Sequence, residues 1–403
     1  MARKPLPDLS REENLVSKVY FADMRAKKTD EAISKKMLKL FDAAALQDVI
    51  SRGDVVALKI HLGTGDNHRH LRPEHIRAVA EKVQELGGKP FVTETTGVGL
   101  TAIRGTAVDC IKTAAAHGFT RETLGAPIII ADGLKGLWGI KAKVKGSKMK
   151  EVEIAQAIAE SDAMISISHV KGHPRTGLGA TLKNIGMGCL TKTSKAQLHL
   201  AKKPKIDQKA CNNCGICIPF CPVGAIQQKK DKPQVKQDMC IWGCGCWDIC
   251  PQKAFTKWGD MHHKENKELI VRNVDAAAAV LNHLGKDKVA YMNLAYDITP
   301  HCDCADYGDV PMVPDIGLFA SKDPIAIDKA SSEAIINAPG IRGSASEEIN
   351  ALEPGTDKFT RLSEWSPFEA FRSKDRTANW RLQLELGEKL GLGTQRYELI
   401  RIE

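Results

Sequence analysis

Residues 211–222 read CNNCGICIPFCP and residues 240–251 read CIWGCGCWDICP. In the first, Cys211, Cys214, Cys217 and Cys221 follow C-x2-C-x2-C-x3-C-P. At that spacing three thiolates of one loop reach one iron–sulfur cube, while the fourth, followed by proline, turns toward a second. Zinc ribbons share C-x2-C but not the third and fourth spacings. A shift of 29 residues lays Cys211 on Cys240, Cys217 on Cys246, Cys221-Pro222 on Cys250-Pro251 and Ala225 on Ala254. The internal repeat predicts a two-fold module with two 4Fe–4S clusters. Because each fourth cysteine serves the other cube, Cys211, Cys214, Cys217 and Cys250 form one ligand set, and Cys221, Cys240, Cys244 and Cys246 the other. One position breaks the repeat: Gly243 stands where the second cysteine is expected, and Cys244 comes one later. We read a rebuilt loop that still binds a cluster. Trp242 and Trp247 flank it, either to shield that cluster from water or to pack against the rest of the chain.

Working outward, the composition is that of an ordinary globular protein: 403 residues, 43% hydrophobic and 27% charged. No apolar run approaches the roughly 18 residues of a membrane span. The opening MARKPLPDLSREEN lacks the apolar core of a secretory signal, so a cytoplasmic protein is expected. There the cysteines stay reduced, and dense cysteine points to metal rather than to disulfides. The formal charge of +9 is scattered and carries no aromatic-studded basic stripe, which argues against nucleic acid. Residues 201–260 hold ten lysines and five aspartates, an excess of five. Two clusters, each with four thiolates, would bring about −4 and neutralise most of it.

On either side of the cysteines, apolar runs alternate with helical stretches. Residues 54–60, 90–93, 127–131, 163–168, 289–294 and 315–320 read as buried strands, and 73–86 and 105–117 as helices. The alternation predicts an α/β domain with a mainly parallel sheet, interrupted by a bacterial-ferredoxin-like insert. The expected division is 1–203 for the first part of the host, 204–260 for the insert and 261–342 for the second part. A C-terminal tail at 343–403, with a helix near 379–390, packs on the host.

Polar residues close these strands. Lys59 and His61 follow the first, Glu94 and Thr95 the next, and Asp132 the run IIIAD; His169, Lys171 and His173 follow AMISIS, and Asp297 and Thr299 follow VAYMNLAY. In open α/β sheets, ligands bind beyond the carboxyl ends of the strands. A pocket is therefore expected there, with Lys59, His61, His169, Lys171 and His173 binding a small anionic substrate or supplying protons. Gly172 and Pro174 keep His169 and His173 off a helix. The glycine-rich run 177–188 opens a helix whose amides could receive an anion or simply pack. Cys302 and Cys304, beside His301, could complete an additional metal site near His169, donate thiols to a redox reaction, or lie buried. The run GVGLTA at 97–102 imitates a dinucleotide fingerprint but follows a later strand and lacks the distal acid, so no dinucleotide is expected.

The strings KIHLG (59–63), PFVTET (90–95), IIIADGLKG (128–136), SHVKGH (168–173), GATLKNIGMGC (179–189), ITPHCDC (298–304) and LFASKDPIAID (318–328) resemble the domain of unknown function 362 family. The resemblance implies an α/β host with 4Fe–4S clusters of a kind found mainly in anaerobes. The loop from Cys240 to Cys246 departs from the plainer motif of many relatives. The expected activity is a ferredoxin-dependent oxidoreductase that draws electrons from a soluble carrier, a ferredoxin or redox enzyme. The rival readings are an electron carrier without its own substrate and a metallocofactor carrier.

Overall fold

The computed structural model describes residues 16–367 and 377–402. Fourteen strands follow in chain order: β1 (Ser17–Asp23), β2 (Val55–Lys59), β3 (Lys89–Glu94), β4 (Ile128–Ile130), β5 (Gly139–Lys143), β6 (Glu151–Ala155), β7 (Ala163–His169), β8 (Lys171–His173), β9 (Gly177–Gly179), β10 (Ile226–Lys229), β11 (Lys232–Val235), β12 (Val289–Ala295), β13 (Gly317–Ser321) and β14 (Tyr397–Arg401). Eight of them form one sheet in the order β14-β1-β13-β12-β7-β2-β3-β4. All neighbours are parallel except those of β13, which opposes both β12 and β1. The mainly parallel α/β fold is thus the one the alternating pattern implied.

Why these runs are strands follows from burial on both faces. In β7 and β12 every residue is buried, so both faces take apolar or small uncharged side chains up to His169, with Ser166, Ser168 and Asn293 among them. Successive side chains still point to opposite sides: Met164, Val289 and Tyr291 belong to one core, and Ile165, Ile167, Ala290 and Met292 to the other. Helices Ile33–Ala43 and Pro73–Glu85 cover one face through Met37, Phe41, Ile76 and Val79. Helices Asn266–Leu284 and Pro324–Ile336 cover the other through Leu269, Val280, Ile325 and Ile335. Each fully buried leucine or isoleucine contributes about 1.5–3 kcal/mol by leaving water.

The chain proceeds outward from β2 to β3 and β4, then returns so that β7 lies on the other side of β2. A topological switch point falls between β2 and β7, and the crevice outside their carboxyl ends is where this architecture takes ligands. Lys59 and His169 end those two strands.

The described residues of the tail hold more regular structure than their polar sequence suggested. β14 adds a parallel edge strand to β1, and helix Arg381–Lys389 packs through Leu384 into the larger core. Sequence reading missed β1 and β14 because neither forms a continuous buried run: β14 is an edge strand with no buried residue, and β1 buries three of its seven.

Residues 204–260 have a small core of their own, with Ile226 and Phe255 packed beside Cys217 and Cys246, and a hairpin of β10 and β11. The repeat seen in sequence is repeated in space. Ala225 donates its amide to Cys221 Sγ at 3.2 Å, and Ala254 donates to Cys250 Sγ at 3.4 Å.

Candidate functional site

The eight cysteines gather in two nests. Cys211, Cys214, Cys217 and Cys250 line one small cavity with Ile206, Pro233 and Phe255. Cys221, Cys240, Cys244 and Cys246 line another with Ile226, Val235, Trp242 and Trp247. Among the described residues, no three of these eight bring their sulfurs within 4.8 Å of one another. One tetrahedral zinc with Zn–S of about 2.3 Å would hold its thiolates about 3.8 Å apart, so a larger group suits these nests better.

The irregular spacing around Gly243 has a tertiary cause. Gly243 has φ +56°, and a Cβ there would come within 2.8 Å of Ala196 Cβ, on helix Lys192–His199 of the host. Gly245, at φ +82°, approaches Gly99 Cα so closely that a Cβ would stand 2.9 Å from it. Backbone bonds fasten the contact: Gly99 N–H donates to Gly243 O at 2.7 Å and Leu100 N–H to Cys244 O at 2.8 Å. The fingerprint-like run at 97–102 is therefore the seat on which the cysteine loop rests. No side chain fits at 243, and the cysteine stands at 244 instead. Restoring the regular motif with Gly243→Cys should lower stability by about 1–3 kcal/mol through overpacking and positive φ, read as a lower Tm.

Beyond the carboxyl ends of β2, β3 and β7 lies a cavity of about 580 Å³. All seven candidates line it: Lys59, His61, His169, Lys171, His173, Cys302 and Cys304. Arg104, Lys183, Lys195, His199 and Trp258 join them. Lys183 lies on the helix that the glycine-rich run 177–188 opens. The other four were missed, because they come from a loop, from the Lys192–His199 helix and from the end of the cysteine-rich segment, where no strand marks them. Two strand ends stay outside. Asp132 accepts from Thr96 N and Oγ1, and Asp297 pairs with Arg69 and Arg72 at 2.7 and 3.1 Å.

Charge on the wall is mostly positive. Five cations, Lys59, Arg104, Lys171, Lys183 and Lys195, face two lining carboxylates, Glu94 and Asp306. Lys59 Nζ lies 3.1 Å from Glu94 Oε1 and also donates to Asn184 Oδ1 at 2.8 Å and Ile60 O at 2.7 Å. Burial opposes the charge on Glu94, but Lys59, His61, Lys195 and Arg104 outweigh it and bring its pKa down to about 2. Burial, with Lys171 as a neighbouring cation, brings Lys183 down to about 7. An ammonium so placed holds or releases a proton near neutral pH.

The histidines divide by their bonds. His169 sits between two acceptors, with Nδ1 2.8 Å from Asp303 Oδ1 and Nε2 2.8 Å from Tyr296 O. Neither nitrogen is left to bind metal, and the ring serves to hold Asp303. That carboxylate also binds Lys171 Nζ at 3.1 Å; burial would raise its pKa, but His169 and Lys171 hold it well below the usual range. His173 is not on a plain loop but ends β8, in a ribbon with β9. The tight ribbon requires Gly172, since a Cβ there would meet Leu362 Cδ1 at 2.5 Å. His173 Nδ1 accepts from Arg175 N–H at 3.1 Å and Thr176 N–H at 3.0 Å, which puts the ring proton on Nε2. Burial first, then nearby Lys183, pushes its pKa well below the usual histidine value, so the ring stays neutral.

The amides that open helix Thr181–Gly186 are already taken. Thr181 N–H and Leu182 N–H each donate to a carboxylate oxygen of Asp328 at 2.9 Å, so the anion they hold is the chain's own. Cys302 and Cys304 are joined by a disulfide, with Lys183 Nζ 3.4 Å from Cys302 Sγ. Their sulfurs and a ring nitrogen of His173 lie within 4.8 Å of one another. With Nδ1 occupied and the proton on Nε2, His173 does not suit a metal in that group.

A mainly parallel α/β sheet with a cationic crevice at its switch point and a cysteine-rich segment docked beside it defines the class of protein. The chain belongs to the family described as Domain of unknown function (DUF362), whose model matches residues 56–333. It is similar to the Thylakoid-associated protein sll1697 of Synechocystis sp., at 27% identity over 156 residues, covering 38% of this chain and 44% of that protein. The chain thus spans less than half the length of that relative. It is also similar to the Pyruvate synthase subunit PorD of Methanothermobacter marburgensis, at 38% identity over 78 residues, which is 19% of this chain and 88% of that subunit. Among solved structures, the lactate racemase apoprotein from Thermoanaerobacterium thermosaccharolyticum overlaps 72% of this chain and 52% of its own, with a TM-score of 0.33 at 14% identity. Among the described residues no helix is long and apolar enough to cross a membrane.

Proposed function

We propose that the chain is an iron–sulfur redox protein in which residues 204–260 form an inserted ferredoxin-type module with two 4Fe–4S clusters. Cys211, Cys214, Cys217 and Cys250 would hold one, and Cys221, Cys240, Cys244 and Cys246 the other. Such clusters supply single electrons. The apolar nests, the amide donors at Cys221 and Cys250 and the wide sulfur spacing fit them. The likeness to a pyruvate synthase subunit supports a redox role, with a soluble redox enzyme or ferredoxin as partner.

The observation that carries the reading is the contact between the second nest and the cavity. Trp247 lines that nest and stacks on Trp258 at 4.9 Å between ring centroids, and Trp258 lines the cavity. Electrons entering at the first nest, where Cys214 is exposed, would leave through the second toward a small anion held by Lys59, Arg104, Lys171, Lys183 and Lys195. Lys183 is the group suited to move a proton. His61 and His173 orient the anion, and His169 fixes Asp303.

Protein purified without oxygen should be brown and carry about eight irons per chain, with matching sulfide. Colourless protein, or zinc in the cysteine nests, would end the proposal.

A further inference from the structure

The Cys302–Cys304 pair faces the same cavity as Trp258, and its surroundings are asymmetric. Cys302 is 2% exposed, whereas Cys304 is open to solvent at the cavity wall. Lys183 Nζ lies 3.4 Å from Cys302 Sγ, and Cys304 N–H points at the same sulfur from 3.3 Å. Both are donors that favour a thiolate on Cys302 and not on Cys304. Asp303, between the two, is pinned by His169 and Lys171, so the backbone carrying both sulfurs is fixed. The bridge closes a loop of three residues. A loop so short removes little entropy from the unfolded chain, so the bridge is a poor staple.

We propose that Cys302 and Cys304 are a redox-active pair that takes up two electrons arriving singly from the cysteine-rich module. The inference rests on the cluster reading above, and it answers a need which that reading creates: one-electron centres feeding a pocket require a group that collects electrons in pairs. In the step, the S–S bond breaks and two electrons enter it, each from a reduced one-electron iron–sulfur centre that is oxidised in turn. Cys302 becomes a thiolate beside the Lys183 ammonium. One proton from water at the exposed side goes to Cys304, giving a thiol. The burial-lowered pKa of Lys183, about 7, leaves its ammonium able to follow the charge on Cys302. The buried, stabilised sulfur is the better leaving group and the exposed one is the point of attack, the division that thiol–disulfide exchange needs.

The test uses the whole chain purified without oxygen, with its iron measured first. It is reduced with titanium(III) citrate in increments, quenched with N-ethylmaleimide in denaturant and digested with trypsin. The peptide 289–322 carries both cysteines. Before reduction it should be unlabelled and lighter by two hydrogens than the dithiol form. After the clusters are filled, two further electrons per chain should give it two labels. Protein stripped of iron by a chelator should react at least about tenfold more slowly with the same reductant. Iron-loaded protein whose peptide labels fully before reduction, or never labels, would overturn the pair alone; equal rates with and without iron would overturn the link to the module. An iron-free preparation would overturn the cluster reading, and the relay with it. Lys183→Gln should slow alkylation of reduced Cys302 at neutral pH about tenfold. An unchanged rate would remove Lys183 from the proposal.

Discussion

Cys221→Ser is expected to abolish the cluster of the second nest, not the one served by the three cysteines that precede it. Cys221 lines its cavity with Cys240, Cys244 and Cys246, although it lies 19 residues before Cys240 in the chain. Iron should fall from about eight to about four per chain. The electron paramagnetic resonance spectrum of reduced Cys221→Ser should match that of Cys240→Ser and differ from that of Cys214→Ser. Cys250→Ser should behave like Cys214→Ser, since Cys250 lines the first nest. If Cys221→Ser instead shared the spectrum of Cys214→Ser, each motif would be serving its own cluster and the crossed arrangement would fail. Apolar contacts of the small core, such as Ile226 with Phe255, should keep the segment folded around the remaining cluster.

Glu94→Gln is expected to cost about 3–5 kcal/mol, the largest stability change of any single substitution at the cavity. The carboxylate is 2% exposed and meets Lys59, which is fully buried, at 3.1 Å; Arg104 and His61 stand about a further ångström away. Glutamine keeps the shape but removes the charge, leaving Lys59 buried without its ion-pair partner and Lys195 with Asp132 alone as a counter-charge. The pH dependence has a definite sign. The folded pKa of Glu94, about 2, lies below its ordinary 4.5, so its stabilisation is present above about 4.5 and is lost as pH falls toward 2. Denaturant midpoints measured from pH 3 to pH 7 should therefore rise more steeply in the parent protein than in Glu94→Gln. Equal slopes would show that Glu94 is not ionised by its neighbours.

Much of this was readable without coordinates. Strands β2, β3, β7 and β12 appeared as short, mostly apolar runs because both of their faces are buried, and their polar caps at Lys59, His61, Glu94, His169 and Lys171 marked the crevice. The reversed direction of β13 left no trace, since a strand buried on both faces reads alike whichever way it runs. For helix Thr181–Gly186 the sequence left open an external anion or plain packing, and only the fold could show Asp328, almost 150 residues downstream, already bound there.

Cysteine spacing along one short loop is a local property, so the sequence by itself determined the two motifs and their repeat, and gave the expectation that each fourth cysteine joins the other set. Apolar runs likewise determined the α/β class. The tertiary structure decided what depends on distant segments meeting. It set Gly243 against Ala196 and so displaced the cysteine to 244, and it brought Arg104, Lys195, His199 and Trp258 to the cavity wall. It also locked both nitrogens of His169 and laid Trp247 on Trp258. Packing and charge act through space, and no pattern along a chain records which far residue will fill the next few ångströms.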